Sequence, residues 1–234
     1  MRATTSWIGR LLGIAVAAGG CLLPAFSASA EAPKCCLTIV APAGNAVLPP
    51  GNVLVIGTAQ GEGITRVDID VNGQGGMTVP VSGGGFSAPV KISKGKNVIR
   101  AFAGKTSASV VVVADARGGY RYHREVEKCA ACHDRPEQGY AVAGPQSTVC
   151  YRCHDRQDAG KNVHGPLGGG ECTACHDPHG SGHAALTTAR QEALCVSCHD
   201  QESSAEHFRS SKGKECTACH EAHSSDRRFL QKQK

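Results

Sequence analysis

Residues 149–186 read VCYRCHDRQDAGKNVHGPLGGGECTACHDPHGSGHAAL, and residues 194–230 read LCVSCHDQESSAEHFRSSKGKECTACHEAHSSDRRFL. Laid over one another, the two stretches match Cys-x-x-Cys-His to Cys-x-x-Cys-His twice, His164 to His207 and His179 to His223. The pentapeptide occurs once more upstream. The chain therefore holds five, with Cys129, Cys132 and His133; Cys150, Cys153 and His154; Cys172, Cys175 and His176; Cys195, Cys198 and His199; and Cys216, Cys219 and His220.

On one helical turn, positions i, i+3 and i+4 share a face. Two thiols so placed can bond the two vinyl groups on one edge of a haem while the histidine reaches the iron, and CxxCH is the attachment signature of c-type haem. Zinc ribbons need CxxC pairs in even number and no histidine after the second cysteine. Disulfides, the ordinary use of cysteine in an exported chain, leave the histidines unexplained. The expectation is five covalently attached haem c groups, with thioethers from the ten cysteines above. The proximal iron ligands are then His133, His154, His176, His199 and His220.

Six histidines remain: His123, His164, His179, His183, His207 and His223. The only methionines are Met1 and Met77, outside this half of the chain. Methionine ligation raises haem potential, so its absence predicts low-potential haems with two histidines each. The repeat nominates His164, His179, His207 and His223 as distal ligands. His123, a few residues before the first motif, reads as the same element of a partial unit. His183 has no counterpart and is surplus. His179 and His223 each follow a proximal histidine so closely that they cannot reach the far side of the same haem. Each is expected on the iron of a neighbouring one.

The unit CxxCH…H…GECTACHDPHG resembles the doubled CxxCH multihaem cytochrome c family, over about residues 123–226. The resemblance implies a haem-cored, mostly irregular domain with short helices. The second repeat departs from it at Glu221-Ala222, where the first has Asp177-Pro178. With about 23 residues per haem and Trp7 the only tryptophan, the haem faces must supply most of the buried apolar surface, at about 25 cal/mol per Å² removed from water. The haem-free domain is expected to be unfolded.

Working outward, the composition changes near Arg117. Before it there is no histidine, and seven short apolar or alternating runs follow Cys35-Cys36: Leu37–Ala41, Val53–Thr58, Thr65–Val71, Met77–Val81, Phe86–Ile92, Asn97–Phe102 and Ser107–Ala114. Glycine-rich turn signals separate them, and Asn72-Gly73 is the preferred dipeptide of a tight hairpin. Val67-Asp68-Ile69-Asp70-Val71 alternates apolar and acidic, one face in and one wet. That reading of Asp68 and Asp70 is preferred to a calcium site. Seven strands in about 80 residues predict an all-β sandwich. VDIDVNG followed by GGFSAPVKISKGKNVIRAFAG resembles the bacterial Ig-like domains found as accessory modules on exported proteins, over residues 36–115. The expected organisation is a signal peptide at 1–30, an Ig-like β-sandwich at 31–117 and a pentahaem cytochrome c domain at 118–234. Cys35 and Cys36 are too close to bridge without strain; they pair with another chain or are incidental.

Arg2 and Arg10, the apolar Leu11 to Phe26 and Ala28-Ser29-Ala30 read as an export signal cleaved after Ala30. The apolar run is shorter than the roughly 20 residues needed to span a bilayer. Cys21 follows Ala18-Gly19-Gly20 as in a lipobox, but Ala18 stands where a large aliphatic residue is usual. Removing the signal lowers the formal charge of +5 to +3. Residues 118–234 carry fifteen Lys/Arg against fifteen Asp/Glu, which gives no footprint for nucleic acid. Haem propionates would make that half acidic and favour basic partners. The expected function is electron transfer in the periplasm or at the cell surface, with redox proteins, other cytochromes or copies of the chain as partners. The alternatives are a haem oxidoreductase with one open iron, and a subunit of an extended conduit assembled through the sandwich.

Overall fold

Asn72 and Gly73 both take positive φ, 57° and 77°, which is the primed turn whose twist matches the strands it joins. Around that hairpin, a computed structural model describes residues 36–134, 140, 142, 144–199, 205–211 and 214–233. The expected signal at 1–30, Cys21 and Cys35 lie outside the described residues.

Eight strands form two sheets. β1 (Cys36–Ala41), β3 (Gly51–Gln60) and β6 (Gly85–Ile92) make one, in the order β1-β3-β6. β2 (Val47–Leu48), β4 (Arg66–Val71), β5 (Gln74–Pro80), β7 (Gly95–Ala103) and β8 (Thr106–Ala114) make the other, in the order β2-β8-β7-β4-β5. The seven expected runs each carry a strand. The eighth, β2, is two residues long and pairs parallel to β8 through Val47 and Val113, so no hairpin signal announces it.

Burial alternates along the strands, and the inner faces meet in one core of Leu48, Val55, Val67, Ile69, Ile92, Ile99 and Val112, with Phe86 and their neighbours. Asn97, 1% exposed, is the polar exception. Its amide donates to the carbonyls of Ser93 and Gly95 and accepts from Ser93 N and Asn72 Nδ2, so nothing on it is left unpaired. Asp68 accepts from Thr78 Oγ1, and Asp70 pairs with Arg100 at 3.0 Å. These are the cross-strand partners of a wet face.

From Tyr120 on, the chain is held in short pieces. β9 (Arg121–Tyr122) pairs with β11 (Gly180–Ser181), and β10 (Asn162–Val163) with β12 (Ser224–Ser225). The helices are α1 (Gln146–Cys150), α2 (Gly165–Gly168), α3 (Gln191–Val196) and α4 (Ala205–Ser211). Among the described residues, no buried hydrophobic side chain lies beyond Tyr120, and no helix is long and apolar enough to cross a membrane.

The junction between the halves is packed. Asp115 N and Tyr120 N donate to the carbonyls of Leu48 and Val47, and a Cβ on Gly118 would stand 2.3 Å from the Leu48 backbone. Tyr120 sits in the sandwich core, Tyr122 Oη donates to Leu54 O at 2.6 Å, and the two rings meet edge to face. Tyr140 donates to the Gly83 carbonyl in the turn before β6.

Candidate cofactor-binding site

Every CxxCH motif closes one helical turn. The histidine N–H donates to the carbonyl of the first cysteine in all five, from His133 to Cys129 at 2.8 Å through His220 to Cys216 at 3.0 Å. The second cysteine donates to the same carbonyl. Two sulfurs and an imidazole thus leave each turn from one face. None of the ten cysteines is in a disulfide. Burial pushes the thiols of Cys150 and Cys195 up to about 11, and Cys172 and Cys216 beside them add to the rise.

Those contacts show which motifs are neighbours. Thr173, inside the third motif, donates its N–H to Gln146 Oε1 at the start of α1 and accepts from Gln146 Nε2 at 2.7 Å. Thr217, inside the fifth, donates to Gln191 Oε1 at the start of α3 at 2.9 Å. The second motif therefore docks on the third, and the fourth on the fifth.

The ten nominated histidines come together in five pairs, each with one motif ring and one ring from outside the motifs. His133 faces His179 at a centroid distance of 6.1 Å, His154 faces His123 at 6.0 Å, and His176 faces His223 at 5.9 Å. His199 faces His164 and His220 faces His207, both at 5.8 Å. A metal about 2.0 Å from each of two opposed imidazole nitrogens, with each ring centre about 1.1 Å behind its nitrogen, sets the centroids about 6 Å apart. Among the described residues, no three of His, Cys, Asp or Glu converge on one point. A bare zinc ion takes four protein ligands, whereas a haem brings four nitrogens of its own and asks the protein for two. The residues present fit a haem.

Backbone ladders place the outside rings. His123 N donates to His179 O just after β9, and His164 N donates to His223 O just after β10, so His123 and His164 are the same structural element. His207, aligned with His164 in sequence, rides instead on α4 and faces the next motif. Among the described residues His183 joins no ring pair; its carbonyl accepts from Arg121 Nη2 and its N–H donates to Ser181 Oγ. Burial lowers the pKa of His123 and His223, and the neighbouring His154 and His176 lower it further. Burial thus favours the neutral form of both rings, the form that ligates a metal.

Sequence reasoning missed what holds the proximal rings. His176 Nδ1 lies 2.8 Å from Ala185 O, and His220 Nδ1 lies 2.8 Å from Phe229 O. With the ring N–H donated there, Nε2 is left free for a metal. The acceptors stand in left-handed turns, Ala185-Leu186 at φ 51° and 55° and Phe229-Leu230 at φ 56° and 54°. The buried hydroxyls of Ser181 and Ser225 tie each turn down by donating to Thr187 O and Gln231 O, both at 2.6 Å. The recurring serine is the one signal that sequence offered. His133 differs: its buried Nδ1 has no hydrogen-bond partner among the described residues, and the ring lies edge-on to Tyr140 at 5.5 Å. The Asp177 carboxylate accepts from His179 N and lies 3.3 Å from His179 Nδ1. Where the second repeat has Glu221, no such contact to His223 exists among the described residues.

Residues 164–204 match the family model of the doubled CXXCH motif, the segment that carries the third and fourth pentapeptides, and such motifs indicate covalent haem c binding. No curated protein matches the chain. Among solved structures, the FMN-binding β-glucuronidase from Facaelibacterium prausnitzii L2-6 shares 21% identity over 37% of this chain and 13% of its own length, at a TM-score of 0.30. An engineered protein shares 16% over 36% of this chain and 21% of its own, at 0.32. The fibronectin(III)-like modules of Clostridium thermocellum CbhA share 27% over 35% of this chain and 100% of their own, at 0.27. This chain thus spans a small part of the first two. The strand order, not these overlaps, identifies the sandwich.

Proposed function

We propose that the chain is an exported electron-transfer protein with five covalent haem c groups, each iron held by two histidines. The observation that carries this is the pairing. All five motif histidines face a partner ring from elsewhere in the chain, at a spacing that varies by only 0.3 Å. The proximal ligands are His133, His154, His176, His199 and His220; in the same order, the distal ligands are His179, His123, His223, His164 and His207.

Bound haem supplies a one-electron couple that runs between ferric and ferrous iron. The chain's own residues do the rest. The cysteines fix each group to its helical turn. The paired imidazoles would give each iron two protein ligands, which would leave no protein-side position for a substrate and would serve both oxidation states alike. Histidine in place of methionine on both sides favours low potential. His179 and His223 are each supplied to a motif other than the one they follow, so ligation ties separate stretches of chain together. The haem-cored domain is then residues 118–234, in front of it stands the sandwich at 31–117, and relay takes place in the periplasm or at the cell surface.

Haem quantification with a spectroscopic redox titration tests the reading. The expected result is five haems per chain, all low-spin, with negative midpoint potentials. A high-spin fraction in the purified protein would instead favour an oxidoreductase with an open iron.

A further inference from the structure

The two repeats are each other's control. Residues 180–188 and 224–232 share their left-handed turns, their serine hydrogen bonds, and the donations of Thr188 N to Cys175 O and Lys232 N to Cys219 O. Ser181 Oγ and Ser225 Oγ accept the same backbone donor in each. Side chains on this common backbone nevertheless diverge: His183-Ala184-Ala185 in the first copy becomes Arg227-Arg228-Phe229 in the second. Folding the turn therefore requires neither the arginines nor the ring.

The first turn is partly covered, with Arg121 from β9 bonded to the His183 carbonyl. On the second turn Phe229 is 74% exposed, with the Arg228 guanidinium over its ring, 5.4 Å from the centroid. A lone exposed aromatic needs no explanation. This one stands among Arg227, Arg228 and Lys232, all exposed, none of them in an ion pair among the described residues. Its carbonyl is the hydrogen-bond acceptor of His220.

We infer that the turn Arg227-Arg228-Phe229 is the docking point for a separate, acidic redox protein, which exchanges electrons with the group held by His220. The inference rests on the haem reading above. An aromatic anchor flanked by three cations, with Asp226 and Glu221 the acids nearest in the chain, keeps a net positive charge that is matched by an apolar spot among carboxylates, and the charge steers the encounter. A second copy of this chain fits less well as occupant. Its sandwich half, residues 31–117, carries eight Lys/Arg against five Asp/Glu; its other half, balanced as polypeptide, would gain acidity only from haem propionates, and the oligomer measurement below separates that case.

The test uses the full-length holoprotein and a reduced plant-type ferredoxin as the acidic one-electron probe. Ferredoxin gives up one electron, one iron goes from ferric to ferrous, and no bond forms or breaks. Arg227→Glu with Arg228→Glu should lower the second-order rate about tenfold or more at low salt and flatten its salt dependence. Phe229→Ala should lower the rate with the salt dependence kept. A control variant, Lys91→Glu with Lys94→Glu and Lys96→Glu, changes charge on the sandwich and should leave the rate near its starting value. An equal loss in that control, or no loss in the arginine variant, overturns the proposal. So does a homo-oligomer that the arginine variant dissociates, since the occupant would then be a second copy. Haem content is measured on every sample, so a haem count other than five marks failure of the underlying reading separately.

Discussion

The proximal ring of the third motif depends on a main-chain oxygen that one residue presents. Ala185 holds φ at 51°, a region costly for a β-branched side chain and free for glycine. In Ala185→Val the turn should relax and withdraw its carbonyl from His176 Nδ1. A ligand without that acceptor is less basic and stabilises ferric iron less, so one midpoint potential should rise in a redox titration, while Ala185→Gly should leave all of them in place. The distal rings make a coarser prediction. His179→Ala removes the partner of His133 and should convert one haem of five to high-spin while all five stay covalently bound, as judged by haem quantification and absorption spectra. His183→Ala, outside every ring pair, should leave the spectrum unchanged.

At the scale of elements, the junction strand β9 and the tyrosines beside it join two halves with different kinds of interior. Burial raises the Tyr120 phenol from its ordinary 10 to about 12, despite the opposing hydrogen bond from Ala43 N. Folding thus favours the neutral phenol. Its contribution is complete below pH 10 and is lost as the pH rises through 12. Thermal melts at pH 9 and 12 should show a smaller alkaline loss in Tyr120→Phe than in the parent protein. What sequence reveals about these elements follows from whether side-chain type or main-chain geometry sets them. The strands announce themselves by alternation, the 72–73 turn by Asn-Gly, and the motif turns by CxxCH. β2 does not, being two residues held by a parallel neighbour. The turns at 185–186 and 229–230 are invisible as well, because alanine, phenylalanine and leucine carry no left-handed signal and the work is done by carbonyls. The repeat nominated which histidines would pair. Which ring meets which was not legible, since that depends on ladders such as His164 N to His223 O.

Over the whole molecule, apolar burial is lopsided. The buried hydrophobic residues run from Leu37 to Tyr120, and among the described residues none follows. The sandwich can account for its own stability, and on the proposed haem reading the rest would draw on its prosthetic groups. Replacing all ten motif cysteines with alanine should leave a protein with one cooperative transition, that of the sandwich. Hydrogen exchange should then be slow only within residues 37–114. Persistence of slow exchange beyond Tyr120 in that haem-free protein would contradict the expectation. Within the sandwich, Asn97→Ala strands the groups that Asn97 now satisfies and should cost about 2 kcal/mol, read as a lowered melting temperature of that same transition.

Gly118, pressed against Leu48, and the Tyr122 bond to Leu54 leave no slack where the two halves join. Tyr122 is followed at once by His123, one of the paired rings. A pull on the sandwich is therefore transmitted along a taut peptide to that ring instead of being absorbed by a loose tether. If the sandwich is the handle by which the protein is held in place, the CxxCH half is held at a set attitude, like a tool clamped by its shank.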